Sequence, residues 1–370
     1  MGDVHLVVNG RRYGGWKAVR VTRSMESVAG SFDIVPNDRW GEQEEPWSIA
    51  EEDACRVQID GETVIDGFVD RPSISLSGQD RSLSFSGRDR AAALVDCSVM
   101  MDKWSFRKSS ALEVIRKLAE PFGIRVSIQE GLQRKLPDGP LKFSVSPGEK
   151  AFEAIARAAQ MAGVLVVSDG AGGIFLTRAG AARASTSLVQ GKNILAASVE
   201  YDATERFRRY IVITQIGGTD NASGEVTSVI GYAIDEGVRR LDRVLVIRPE
   251  TGVTVEYARL RADWEARVRA ARSETVSITV QGWRQKPGGP LWPINALVPV
   301  DAPAVRAVGD FLITQTDFSL DDGGGEVTGL RLVRPDAFDP EPEATVAPSK
   351  VKVPGGAATG RWAELLRGAL

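Results

Sequence analysis

Residues able to do chemistry are few and scattered in this 370-residue chain. The one histidine, His5, lies in an alternating strand pattern near the N-terminus, where neither a catalytic nor a metal-binding role is expected. Cys55 and Cys97 are far apart, which fits neither a disulfide framework nor zinc spacing. Two reduced thiols in a cytosolic compartment are expected. Glu44-Glu45 and Asp321-Asp322 put carboxylates side by side in turns. Glycoside hydrolysis instead needs two carboxyl groups brought from separate elements to either side of a groove. Gly170-Ala171-Gly172-Gly173 is rich in glycine, but a strand follows it, so no helix N-terminus is there to hold phosphate. Pro147-Gly148-Glu149-Lys150 opens a helix without a glycine-rich loop before it. The chain contains no G-x-S-x-G elbow, H-E-x-x-H, Walker loop or paired C-x-x-C. Asn221-Ala222-Ser223 is a glycosylation sequon that carries little meaning without an export signal. The expectation is no catalytic residue, no cofactor, no metal site and no enzymatic activity.

Composition narrows the class further. Hydrophobic content of 43% and charged content of 26% are those of a folded chain with sizeable cores. Its length suggests two or three domains. A net charge of −3 leaves no overall footprint for nucleic acid or an anionic membrane. The opening MGDVHLVVNGRR lacks the apolar run of a signal peptide, and no stretch approaches the ~20 apolar residues that span a bilayer. A soluble protein without membrane contact is expected.

The chain is organised around a β pattern that occurs twice. Near the N-terminus it reads SFDIVPNDRW…PWSIAEEDACRVQID…GFVDRPSISLSGQDRSLSFSGRDRAA; near the C-terminus it reads TVSITVQGW…LWPINALVPVD…GDFLITQTDFSLDDGGGEVTGLRLVRPDAF. Trp40 matches Trp283, Trp47 matches Trp292 and Ile49 matches Ile294. Val57-x-Ile59-Asp60 matches Val298-x-Val300-Asp301, and Ile74-Ser75-Leu76 matches Phe318-Ser319-Leu320. Leu83-Ser84-Phe85 matches Leu330-Arg331-Leu332. The order and near-constant offset predict two copies of one β unit. Asn9-Gly10 signals a hairpin after Val4–Val8, and Trp16, Ala18 and Arg20 fall on one face of the return strand.

Between the copies the period changes. Ser110-x-x-Glu113 is a capping box ahead of Leu112, Ile115, Leu118 and Ala119 at helical spacing. A second helix carries Phe152, Ile155, Ala156 and Ala159 and closes at Gly163, before a hairpin around Asp169–Gly173. Val199-x-Tyr201…Glu205…Tyr210-Ile211-Val212 echoes Val19-x-Val21…Glu26…Phe32-Asp33-Ile34, as though the second β unit began there and were interrupted. The interruption holds a strand pair near 228–233 and 244–248 and an arginine-rich helix over 255–272. Its arginines suggest nucleic acid, but the favoured reading is a solvated face on which they pair with Glu256, Asp263 and Glu265. The resulting fold class is mainly β with α+β insertions: two similar small β-barrel domains plus two smaller α/β domains. The first barrel is expected over 1–97 and a small α+β domain over 98–180. The second barrel combines 190–215 with 275–338, around an inserted strand/helix domain over 216–274. A Pro/Ala-rich tail runs over 339–370. Trp362, Leu365 and Leu366 near its end share one helical stripe and form a candidate partner-docking hook, the alternative being a frayed tail.

These residues resemble a known family, the baseplate hub proteins of contractile phage tails, in particular the Mu-like hub of the late-control D group. The resemblance rests on Gly87-Arg88-Asp89-Arg90…Leu94-Val95-Asp96-Cys97 and on Pro147-Gly148-Glu149…Gly163…Ser168-Asp169-Gly170…Gly173…Leu176-Thr177-Arg178. Gly282-Trp283…Leu291-Trp292…Asn295…Val298 and Gly324-Gly325…Thr328…Leu330…Leu332…Pro335-Asp336-Ala337-Phe338 complete it, covering about residues 4 to 338. The resemblance implies a homotrimer whose six β units offer a pseudo-six-fold face to the tail tube protein and a three-fold face to the central spike protein. It implies wedge baseplate proteins as further partners, DNA passing through the lumen without specific binding, and a place in the virion tail baseplate, assembled in the host bacterial cytoplasm. It carries over no catalytic residue. The alternative is a peptidoglycan-binding or cell-wall-degrading tail component, suggested by the helix-plus-hairpin middle domain.

Overall fold

The structure, a computed structural model, describes residues 2–37, 49–76, 81–101, 104–136, 141–216, 227–249, 254–321 and 323–342. It divides into two compact units: residues 1–199 with 276–335, and residues 200–275 with the described residues from Asp336.

The first unit opens with β1 (Val4–Val8), β2 (Arg11–Tyr13), β3 (Trp16–Ser24), β4 (Ser31–Pro36), β5 (Ala54–Ile59), β6 (Glu62–Leu76) and β7 (Arg81–Asp89). Asn9-Gly10 and Asp60-Gly61 have positive φ at both residues, which makes the two-residue turns between β1 and β2 and between β5 and β6. Alternation buries Val19, Val21, Phe32, Ile34, Val57, Ile59 and Phe85 in a common core. The face of β3 differs from expectation: Val19 and Val21 point inward while Ala18 and Arg20 do not. A bulge between Trp16 and Ala18 moves the alternation by one residue.

Next come α1 (Ala92–Asp96), β8 (Ser105–Ser109), α2 (Ala111–Ala119), β9 (Val126–Ile128), β10 (Leu141–Ser144), α3 (Ala151–Met161), β11 (Leu165–Ser168) and β12 (Ile174–Thr177). The Ser110–Glu113 capping box forms in both directions. Helices α2 and α3 bury Val114, Ile115, Leu118, Ala154, Ile155 and Ala158 in a separate core. β12 lies between antiparallel β11 and parallel β9. Short strands β13 (Ala182–Arg183) and β14 (Leu188–Val189) then lead to β15 (Ala196–Tyr201).

The second unit contains β16 (Arg209–Ile216), β17 (Thr227–Ile234), β18 (Val244–Ile247) and α4 (Val255–Arg272). This corrects the expected start of the second β unit: residues 210–215 belong to this three-stranded sheet and pair with β17 and β18. A short apolar strand shows its alternation but not its partner. The two strands near 228–233 and 244–248 are not partners of each other; β16 lies between them. Helix α4 packs on this sheet through Tyr257, Ala258 and Ala262. A Cβ on Gly231 would fall 2.0 Å from the Ala258 backbone, so only glycine lets the helix approach this closely.

The chain then returns to the first unit with β19 (Glu274–Gln281), β20 (Ala296–Ala302), β21 (Ala307–Asp321) and β22 (Gly325–Val333). The early strands are ordered β5-β6-β7-β4-β3, and the later ones follow the same order, β20-β21-β22-β19-β15. β6 and β21 are both 15 residues long, and β7 and β22 are both nine. Each long strand bulges at the same step, between Val69 and Arg71 and between Ile313 and Gln315. The repeat is therefore one of strand order and of irregularity. Among the described residues the strands form an open path from β15 to β2 rather than two closed barrels.

Candidate assembly interface

The residues singled out for chemistry do not meet. Trp362, Leu365 and Leu366 lie outside the described residues, as do Trp40, Trp47, Glu44-Glu45, Asp322 and the sequon at Asn221. Around Gly170–Gly173, the Asp169 carboxylate already accepts the Ala171 and Gly173 N–H groups at 2.8 Å each, so those amides are not free to cradle an anion. His5 Nδ1 lies 3.0 Å from Arg12 Nη2, and burial pulls its pKa down. Cys55 is buried, and burial pushes its thiol up to about 12; Cys97 is exposed. Among the described residues no three His, Cys, Asp or Glu side chains cluster as a metal would require. An open cleft of about 410 Å³ is lined by Arg206, Arg240 and Arg243. These three are engaged by Asp235, by Asp242 and by the Arg206 and Ala203 carbonyls. Three of the α4 arginines are likewise committed. Arg261 and Arg269 clamp Glu265 at 2.8 and 2.7 Å, and Arg267 reaches Asp339 at 2.8 Å. Of the three acids read from sequence as partners, Glu265 is the one that pairs with them here.

What the first unit does present is strand edges. Besides β22 on one side, β21 serves two neighbours in turn on the other: Ala307–Leu312 pairs with β20, and past the bulge Gln315–Asp321 pairs with β3. This second pairing joins the two similar β sets within one chain. It is well packed, since Phe318 opposite Val21 is 1% exposed and Val21 is fully buried. Asp317 stabilises the seam by accepting from Thr22 Oγ1 at 2.6 Å, Arg20 Nη2 at 3.2 Å and Gln315 Nε2 at 2.7 Å. A second tie lies at the hairpin tips. Arg284 donates to Asp60 through Nε and Nη2 at 3.0 and 2.9 Å, and to Glu62 through Nη1 at 2.8 Å. Burial alone would raise the Asp60 pKa, but the Asp3 N–H and Arg284 outweigh it and hold the carboxyl below its usual range. Beside it, the Trp283 indole donates to the Ser319 carbonyl at 3.0 Å.

β6 begins like β21 and ends differently. Its first half pairs with β5 and β7; past the bulge, among the described residues, it pairs with β7 alone. Ile74 is 66% and Leu76 83% exposed there. Among the described residues β15 ends the sheet path at the opposite side, bonded to β19 alone, with Tyr201 and, just before the strand, Leu195 exposed. Unpaired edges bearing apolar side chains are an aggregation liability unless something covers them. The alternating apolar tip of β6 was visible in the sequence; the strand's continuity through Pro72 and its missing neighbour were not.

Comparison with known proteins accounts for most of the chain. Residues 3–89 match the family described as Mu phage baseplate assembly protein GpP-like, N-terminal. Residues 91–178 match Baseplate hub protein gp44-like, second domain, and residues 254–341 match Mu phage baseplate assembly protein GpP, fourth domain. The chain is 30% identical over 342 residues to the baseplate hub protein gp44 of Escherichia phage Mu, covering 90% of this chain and 88% of that one. The crystal structure of the 43 kDa tail protein of prophage MuSo2 from Shewanella oneidensis is similar with a TM-score of 0.79 and 33% identity, over 92% of this chain and 100% of that one. The tail protein from Neisseria meningitidis MC58 shares the fold with a TM-score of 0.75 at 22% identity, over 92% and 98% of the two chains.

Proposed function

This chain belongs to the Mu-like baseplate hub protein family, a phage tail structural family, and from that membership we propose that three copies close into a ring joining a six-fold tail tube to a three-fold spike. The observation that carries this reading is the repeated strand order β5-β6-β7-β4-β3 and β20-β21-β22-β19-β15 within one unit. A trimer can occupy six equivalent positions only if each chain supplies two equivalent elements. On this reading each β set acts as one small barrel-like module of the ring. The tail tube sits on the pseudo-six-fold face, the spike on the other, and wedge proteins at the rim. DNA passes through the lumen without sequence-specific contacts, in keeping with the engaged arginines of α4. The role is structural and involves no reaction, and its place is the tail baseplate.

The test is native mass spectrometry and negative-stain microscopy of the full chain. The expected result is a particle of about three times the 39.9 kDa chain mass with a three-fold ring outline. A protein that stays monomeric at micromolar concentration overturns the proposal.

A further inference from the structure

We propose that the middle α+β domain carries a docking surface for a short acidic segment of another protein, built from Arg107, Lys108 and Lys142 on the ribbon of β8 and β10. The surface does not depend on how many copies assemble.

Its geometry comes from an irregular pairing. Phe106 stands opposite Phe143 and Ser109 opposite Leu141, so Lys142 alone on β10 faces both Arg107 and Lys108 on β8. This is a bulge. Phe106 and Phe143 turn inward, with ring centroids 6.1 Å apart. Arg107, Lys108 and Lys142 are all exposed, as are Ser105 and Ser144, which oppose each other at the next step. The outer face of the ribbon is therefore made of cations and hydroxyls, with no acid among them.

Like charges set against one another on paired strands are destabilising. A carboxylate from a neighbouring element could relieve them, but none arrives. Among the described residues these three side chains have no ion pair or hydrogen bond. The acids of the same domain are already engaged. Glu113 accepts the Ser110 N–H at 2.9 Å, Arg157 holds Glu149 at 2.7 Å, and Arg125 holds Asp169 at 2.9 Å. Lys117 differs, because it sits in the last turn of α2, where a cation suits the helix dipole. Its Nζ lies 5.9 Å from the centre of the Phe106 ring, which brings a fourth positive charge beside the ribbon. Solubility calls for exposed charge, but not for cations opposed to each other. An anionic partner supplies what the fold omits.

A carboxylate-bearing protein segment fits this surface better than nucleic acid does. Nucleic-acid footprints commonly engage about 6–10 phosphates along a track. The ribbon cations instead fall within roughly two residue steps, about 7 Å. Two acidic side chains at alternate positions of an extended segment cover the same distance. Trp104, just before β8, is 37% exposed, and tryptophan and arginine are the residue types that anchor protein interfaces.

The test is fluorescence anisotropy of a labelled hexaglutamate peptide titrated with the full chain at about 50 and 200 mM salt, with a short duplex DNA and inorganic polyphosphate as the other arms. The expected result is peptide binding that weakens as salt rises. Lys108→Glu combined with Lys142→Glu should weaken it about tenfold or more, while Arg239→Glu, at an exposed cation of the second unit, should leave it unchanged. Lys142→Ser relieves the opposed charges, so its melting temperature should equal or exceed that of the parent protein. No peptide binding at the lower salt, or binding that survives the double exchange, overturns the proposal. Tighter binding of DNA or polyphosphate than of the peptide overturns the choice of partner. A lowered melting temperature in Lys142→Ser shows that the lysine holds the ribbon together and counts against a docking role. Should the double variant not fold, Lys142→Ser decides, with an expected loss of about threefold in peptide affinity.

Discussion

Ser168 Oγ donates to Asp89 Oδ2 across 2.6 Å and so locks the end of β11 to the end of β7. The same carboxylate accepts the Gly30 and Ala91 N–H groups at 2.9 Å each, and it is 1% exposed. Burial pushes the Asp89 pKa up, while these hydrogen bonds and the charge of Arg23 work against that rise. The middle α+β domain is thus fixed to the first β set by a carboxylate that no catalytic scheme uses.

Asp89→Ala leaves three donors without this acceptor and removes the negative charge that acts on Arg23. A loss of about 3–5 kcal/mol in unfolding free energy is expected, as for other broken buried polar networks. Urea denaturation followed by tryptophan fluorescence measures it. A change below about 1 kcal/mol would show that the lock is not structural.

Arg284 gives a prediction with a definite pH sign. The folded-state pKa of Asp60 lies below its ordinary value, so the stability it contributes is present above the unfolded pKa of about 4 and is lost as pH falls through the folded value. Arg284→Ala should therefore cost about 1 kcal/mol at neutral pH, and less and less below pH ~4. Thermal melts of both proteins from pH 3 to 7 test this; a difference that stays constant or grows in acid contradicts it.

Glu265 is 6% exposed and receives two arginines from its own helix, one turn before and one turn after. Glu265→Ala should cost about 3 kcal/mol, because two largely covered guanidiniums lose their most buried counter-charge and keep only the more exposed Glu341 and Glu205. The intact protein should show no DNA retention at physiological salt. Retention that falls steeply with rising salt would instead identify α4 as a nucleic-acid surface.

The sequence exposed local rules better than partnerships. The capping box at Ser110 and the helix over 255–272 were legible because their signals lie within a few residues. The doubling was legible too, since the pair TVSITVQ and SFDIVP corresponds to β19 and β4, which hold the same place in the repeated order. Its register was not. Val298 stands opposite Phe311 as Cys55 stands opposite Gly67, so Val298 corresponds to Cys55 and not to Val57. A strand's apolar pattern repeats every second residue, so a slip of two leaves the pattern intact. Arg23 beside Asp89 left no local trace, because the partners are brought together only by the fold.

The partner switch in β21 has a mechanical consequence. The seven residue pairs joining it to β3 lie side by side along the strand axis. A pull along that axis loads their hydrogen bonds together in shear, whereas a peeling force would open them one after another. A seam stitched this way resists a sudden pull along its strands yet can still be unzipped from an end, so the direction of a load matters more than the total number of bonds.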